Sequence, residues 1–194
     1  TDKMVKRRDC TTGMAAIQVN AEGDNSIVIV PGANGFCDET YVEENLDVIS
    51  EAEVVLTQLE TPKEGVFRLI QAARETGKTV ILNPAPAPET LPEKILKGLS
   101  FLTPNETELN RLTGLPVETE EELVRAANCL LEKGVENVIV TVGSRGALLC
   151  NEAGSQIYPA FTCKKAVDTT AAGDTFNAGL AVGLAEGKSL EEAI

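Results

Sequence analysis

The 194 residues suffice for one well-packed domain and are few for two. Hydrophobic residues at 43% and charged residues at 24% are ordinary globular values, but with no Trp and 4% aromatic residues the core must be filled by aliphatic side chains. A net charge of −13 argues against a nucleic-acid ligand, whose backbone is gripped by Lys and Arg, but not against a small phosphate held by backbone N–H groups, a helix N-terminus and a metal ion.

Residues 1–10 are charged and carry no signal-peptide core, and no apolar run approaches the ~18 residues of a membrane span. Cysteines at 10, 37, 129, 150 and 163 are odd in number, widely spaced and without a CxxC pair, and there is no His. That set argues against a zinc site and suits reduced thiols in a cytoplasmic protein. Apolar residues at 14–19 and 26–30 flank a polar 20–25 segment, which predicts a β-hairpin. From residue 38 the pattern changes. Helical stretches at about 39–49, 62–76 and 119–133 alternate with apolar runs at 54–56, 79–82, 99–102 and 138–141. Strands buried on both faces and spaced by helices predict a mostly parallel, doubly wound α/β sheet with helices on both faces. Gly77 and Gly134 are placed to end the second and third helices. Pro84 to Pro88 reads as a stiff surface loop, and 145–150 with 155–158 as a second hairpin.

Ligands of open α/β sheets bind at the carboxyl ends of strands. The polar motifs fall there: Gln58-Leu59-Glu60, Asn83-Pro84, Thr103-Pro104-Asn105-Glu106 and Val142-Gly143-Ser144-Arg145-Gly146 each follow one predicted strand. The last motif, Val167-Asp168-Thr169-Thr170-Ala171-Ala172-Gly173-Asp174-Thr175-Phe176, leads into an apolar helix predicted over about 174–186. Small residues before a helix let its N–H groups approach an anion, and can stabilise charge growing on a transferring phosphoryl group. A carboxylate at that edge can take the proton of a bound alcohol. Asp168 and Asp174 also suit plain helix caps, so the motif by itself leaves both roles open. Gly183 to Ser189 imitates a phosphate-binding P-loop, but it has three residues between its glycines instead of four and follows a helix. It reads instead as a helix stop at Gly187 and a cap at Ser189 completed by Glu192.

The ten-residue run at 167–176 resembles the second signature of the ribokinase-like carbohydrate kinases. Gln58-Leu59-Glu60, Leu82-Asn83-Pro84-Ala85-Pro86-Ala87, Thr103-Pro104-Asn105-Glu106-Thr107-Glu108 and Thr141-Val142-Gly143-Ser144-Arg145-Gly146 extend the likeness, in order, along the chain. The resemblance implies an ATP-dependent kinase of D-ribose. Asp174 would be the base that deprotonates the sugar's 5-hydroxyl, and Ala171, Ala172 and Gly173 the anion hole. It places Asn105, Thr141, Gly143, Ser144 and Gly146 along the ATP phosphates and Glu60 on the sugar. Glu108 would organise Mg2+ through water, and Asp168 and Thr170 would bind an activating K+. It further implies a homodimer for the full-length parent. Each role has a plainer rival: Asn105 and Glu108 fit a cap and its partner, Asn83 a turn, Glu60 and Arg145 solvated charges.

The resemblance also implies two units, residues 1–36 as part of a β lid with its connections and 37–194 as an incomplete catalytic core. The family's sugar-binding first strand, its Gly-Gly-Lys-Gly-type loop and its adenine-pocket loop are not in this sequence. The chain is therefore expected to be a fragment, weak or inactive alone and prone to self-association. Two other readings stand beside a ribose kinase: another sugar or nucleoside kinase of the same fold, and a non-catalytic nucleotide-binding module.

Overall fold

The computed structural model describes residues 5–20, 25–162 and 169–194. Asp168, Cys163 and most of the turn expected near 20–25 lie outside the described residues. The first hairpin is present as an antiparallel ribbon, β1 (Met14–Val19) and β2 (Asn25–Val30), with Met14 opposite Val30 and Ile17 opposite Ile27.

A 3-10 turn at Gly32–Phe36 leads to α1 (Glu39–Glu43) and α2 (Leu46–Glu51). The single helix expected over 39–49 is thus two. Asn45 leaves the helical region (φ −130°, ψ 26°), and its side-chain amide donates to the Tyr41 carbonyl (2.7 Å), giving the freed backbone a partner. From there strands and helices alternate: β3 (Val54–Thr57), α3 (Lys63–Glu75), β4 (Thr79–Leu82), α4 (Glu93–Leu96), β5 (Leu99–Leu102), α5 (Glu106–Thr113), α6 (Glu120–Leu131) and β6 (Val135–Thr141). The antiparallel pair β7 (Ala147–Asn151) and β8 (Gly154–Tyr158) follows, then α7 (Ala172–Ala185) and α8 (Leu190–Ala193).

The six strands from β3 to β8 lie in one sheet in sequence order. β3 to β6 are parallel, and β7 and β8 extend the sheet antiparallel. The period of two sends alternate residues to opposite faces. Val80, Leu82, Val138, Val140 and Leu148 join the core beneath α3, α5 and α6, while Ile81, Ile139 and Leu149 join Leu180 and Phe176 of α7 on the other face. Both faces are therefore covered, which is why the strand segments are continuous apolar runs. Val80, Ile81 and Leu82 are fully buried, each side chain contributing about 1.5–3 kcal/mol over its exposed state. Cys150 sits in the same core, where burial pushes its thiol up to about 11 and keeps it protonated.

Gly77 and Gly134 follow α3 and α6 with positive φ, as expected of helix ends. Ser189 and Glu192 form a reciprocal capping box at α8. The Pro84 to Pro88 segment differs from its expectation. It is only partly at the surface: Pro86 is exposed, but Pro84 and Ala87 are buried, and the Leu59 N–H donates to the Ala85 carbonyl (2.9 Å), tying the ends of β3 and β4 together.

Candidate active site

The apolar helix α7 begins two residues earlier than expected. Ala171 is its N-cap, so Ala172 and Gly173 form its first turn and Asp174 holds the third helical position. Ala171 has φ 60° and ψ 19°, a left-handed conformation that turns the chain sharply into the helix. The Ala172 N–H donates to the Thr169 carbonyl (3.2 Å), which closes the turn. Gly173 and Asp174 belong to the first turn, whose N–H groups have no intrahelical acceptor, and they carry the positive end of the helix dipole. Asp174 is exposed, and its Oδ1 accepts a hydrogen bond from Gln58 Nε2 at 2.8 Å. That contact joins the end of β3 to the start of α7 across 116 residues of sequence.

Two clefts meet at this turn. The first, about 370 Å3, is lined by Leu56, Thr57, Gln58, Glu60, Asn83 and Asp174 among others. Glu60, which the family resemblance assigns to a sugar, is exposed there. The second, about 530 Å3, is lined by Asn105, Thr141, Gly143, Gly146, Ala172 and Gly173, with Phe176 and Tyr158 on its apolar side. The structure thus brings Asn105, Thr141, Gly143 and Gly146 together around one space. A parallel bridge between Asn105 and Thr141 and the Thr141 N–H on the Pro104 carbonyl (3.0 Å) hold the ends of β5 and β6 level. Ser144 lies in the 3-10 turn Gly143–Arg145 without lining the cleft. Gly146, at φ 108°, packs so close to the next strand that a Cβ would fall 1.9 Å from the Tyr158 carbonyl, so no other residue fits.

Asn105 and Glu108 make the capping box that the sequence offered as the plainer reading. Asn105 Oδ1 accepts from the Glu108 N–H and Glu108 Oε2 from the Asn105 N–H, both at 2.8 Å. Burial pushes the Glu108 carboxyl up, opposed by that N–H donor. Arg145 does not simply face solvent; it pairs with Glu106, both partly exposed. Thr170 is exposed beside the turn, and Asp168 lies outside the described residues. Among the described residues no group of three Asp, Glu, Cys or His side chains is placed to hold a metal ion, and no helix is long and apolar enough to cross a membrane.

Sequence reasoning missed two groups. Gln58 was read as part of a motif and not as a partner of Asp174. Asn177, one turn along α7, is 3% exposed; its Nδ2 donates to the Gly173 carbonyl (2.9 Å) and its Oδ1 accepts from Thr103 Oγ1 (2.6 Å). A polar residue inside an apolar helix was the available signal.

A mostly parallel sheet thus carries a carboxylate at a helix N-terminus, with a polar cleft on one side and a glycine-lined cleft on the other. The pfkB family carbohydrate kinase profile matches residues 1–194, and the chain belongs to that family. It is 44% identical over 183 residues to a ribokinase of Haemophilus influenzae, covering 94% of this chain and 59% of that protein. It is 40% identical over 173 residues to a deoxyribokinase of Salmonella typhi, covering 89% of this chain and 56% of that one. Its fold superposes on the Arabidopsis thaliana ribokinase complexed with ribose and ATP at TM-score 0.87 and 37% identity, covering 95% of this chain and 60% of that one. The chain thus spans little more than half the length of these relatives.

Proposed function

We propose that the protein carrying this chain transfers the γ-phosphoryl group of ATP to the 5-hydroxyl of D-ribose. One observation carries this reading: Asp174 lines the first cleft and the preceding Gly173 lines the second, so a sugar beside Glu60 and Asn83 and a triphosphate beside Asn105 and Gly143 would approach each other at this turn. The ribose-named relatives support the sugar assignment. The carboxylate accepts the hydroxyl proton as the alcohol oxygen bonds to the γ-phosphorus and the bond to the β-phosphate bridging oxygen breaks, releasing ADP. Gln58 holds Oδ1, which leaves Oδ2 for that proton. The first N–H groups of α7 stabilise the charge on the equatorial oxygens.

In the same reading Glu108, whose Oε2 is committed to its cap, would help organise through water a magnesium ion that arrives with ATP and is held chiefly by phosphates. That ion would neutralise charge developing on the phosphates. Thr170 and Asp168 are the oxygen donors assigned to K+ in the same reading. A cytoplasmic homodimer completes it, supported by the apolar residues exposed on β1 and β2.

The test is a coupled ADP-release assay of the full-length gene product with D-ribose and Mg-ATP. Ribose-dependent turnover is expected, and Asp174→Ala should lower kcat by about 10²–10⁴-fold. The deoxyribokinase likeness favours 2-deoxyribose as the second reading, and kcat/KM for the two sugars separates them. Nucleotide binding without transfer, unchanged by Asp174→Ala, would instead mark a non-catalytic module.

A further inference from the structure

We infer that Thr103, acting through Asn177, is a positioning residue that sets the Gly173–Asp174 turn against the sheet; the inference rests on the kinase reading above. Thr103 lines neither cleft and is 1% exposed, so it touches no ligand in either. Its hydroxyl donates to Asn177 Oδ1 at 2.6 Å, and Asn177 Nδ2 donates to the Gly173 carbonyl at 2.9 Å. The orientation of the amide is fixed chemically: the Gly173 carbonyl can only accept, so Nδ2 must face it and Oδ1 must face the hydroxyl. The Thr103 carbonyl in turn accepts from Asn83 Nδ2 (3.1 Å), and the Thr103 N–H donates to the Leu82 carbonyl (3.0 Å). A chain of buried and half-buried hydrogen bonds therefore runs from the ends of β4 and β5 to the residue before the base.

Most of a helix's first turn is held only by its own ladder and its cap. At α7 the N-cap is Ala171, whose side chain makes no capping bond. The backbone of the first turn is fixed laterally by the Asn177 amide instead. The Thr103–Asn177 and Asn83–Thr103 links are buried and the Asn177–Gly173 link is half-buried, and a buried polar group that loses its partner retains its desolvation cost, so the network favours one position of the turn. The Asp174 carboxylate is one residue from the anchored carbonyl. A shift of that carbonyl moves the base and the N–H groups around the phosphoryl group together, while the cleft walls contributed by the strand ends, among them Thr57, Asn83 and Thr141, stay in place.

The experiment compares Thr103→Val, which keeps the shape and removes the hydroxyl, with Thr103→Ser, which keeps the hydroxyl, in the full-length gene product. Thr103→Val is expected to lower kcat by about 10–100-fold, the order of loss that follows a misplacement of about 1 Å, with KM for sugar and ATP changed less than about 3-fold. Thr103→Ser should restore kcat to within about 3-fold, and adding Thr103→Val to Asp174→Ala should cost nothing more, because both act through one group. Hydrogen exchange over residues 171–178 should speed up in Thr103→Val and not in Thr103→Ser. Should Thr103→Val fail to fold, Asn177→Ser takes its place. The inference is overturned if Thr103→Val lowers only the melting temperature, if Ser and Val behave alike, or if exchange over 171–178 is unchanged. If the wild-type protein shows no sugar-dependent transfer, the kinase reading fails, and the exchange comparison still decides whether Thr103 anchors the turn.

Discussion

Ala171 shows how much the site depends on one backbone conformation. It is the one non-glycine with positive φ among the described residues, and it stands at the entry to the helix that carries the base. An L-residue in that region costs about 1–2 kcal/mol relative to its ordinary conformations. Replacement by Gly removes the cost but returns about 0.4–1 kcal/mol of freedom to the unfolded chain. Ala171→Gly is therefore expected to stabilise the protein by about 0.5–1 kcal/mol, raising Tm by roughly 2–4 °C per kcal/mol for a chain of this size. Turnover should be unchanged, because the turn keeps its φ. Ala171→Val, β-branched and ill suited to positive φ, should lower Tm and turnover together. Thermal melts and the coupled assay on the two variants check both directions. The sequence showed Ala171 as a small residue beside an anion site; that it carries the strained angle was not legible, because the motif supplies no glycine to mark the place.

Helix entry is handled in a repeated way along the chain. Asn105 with Glu108, Thr119 with Glu122 and Ser189 with Glu192 each form a reciprocal capping box. All three follow the spacing of a capping residue and a Glu three positions later, by which the first and the last, though not the second, were read in the sequence. Only the box of α5 borders a cleft, since Asn105 lines the space beside Gly143 and Gly173 while Thr119 lines none of the clefts described. Asn105→Ala and Thr119→Ala should therefore each cost about 0.5–2 kcal/mol in denaturant unfolding. They should part in kinetics: Asn105→Ala raises KM for ATP, and Thr119→Ala leaves it unchanged. Equal kinetic effects would mean that Asn105 is a cap and nothing more. The break between α1 and α2 was less visible. Periodicity persists across 39–51, and what splits it is one Asn whose side chain can replace a backbone partner.

Across the molecule, the sheet was readable because burial on both faces writes each strand as an apolar run, and the polar motifs at the strand ends gave the edge on which a site would lie. The contacts that assemble the site were not. Gln58 with Asp174 and Thr103 with Asn177 are separated by 116 and 74 residues and depend on how α7 packs over the sheet. The surface that remains uncovered carries the last expectation. Ala15, Ile17, Ile27 and Ile29 alternate with Met14, Ala16, Val28 and Val30 on the paired strands β1 and β2, so both faces of the ribbon are apolar. Met14 is 58% exposed and Val28 62%. A lone two-stranded ribbon is marginal in water, and apolar patches of this kind favour association. Among the described residues β3 pairs only with β4 in the large sheet, which leaves its other edge able to accept a strand, with Leu56 exposed beside it. Opposing this is a net charge of −13, whose self-repulsion keeps copies apart at low salt. The two terms respond differently to ionic strength. Screening shortens from about 30 Å at 0.01 M to about 8 Å at 0.15 M, while the apolar term persists. Sedimentation velocity on the 194-residue chain should thus show a mass that rises with protein concentration and rises further with added salt. Val28→Lys, which places charge on the ribbon without touching either cleft, should return the chain toward the monomer. A monomer at all salt concentrations, or an association weakened by salt, would show that charge pairing and not the apolar ribbon governs the contact.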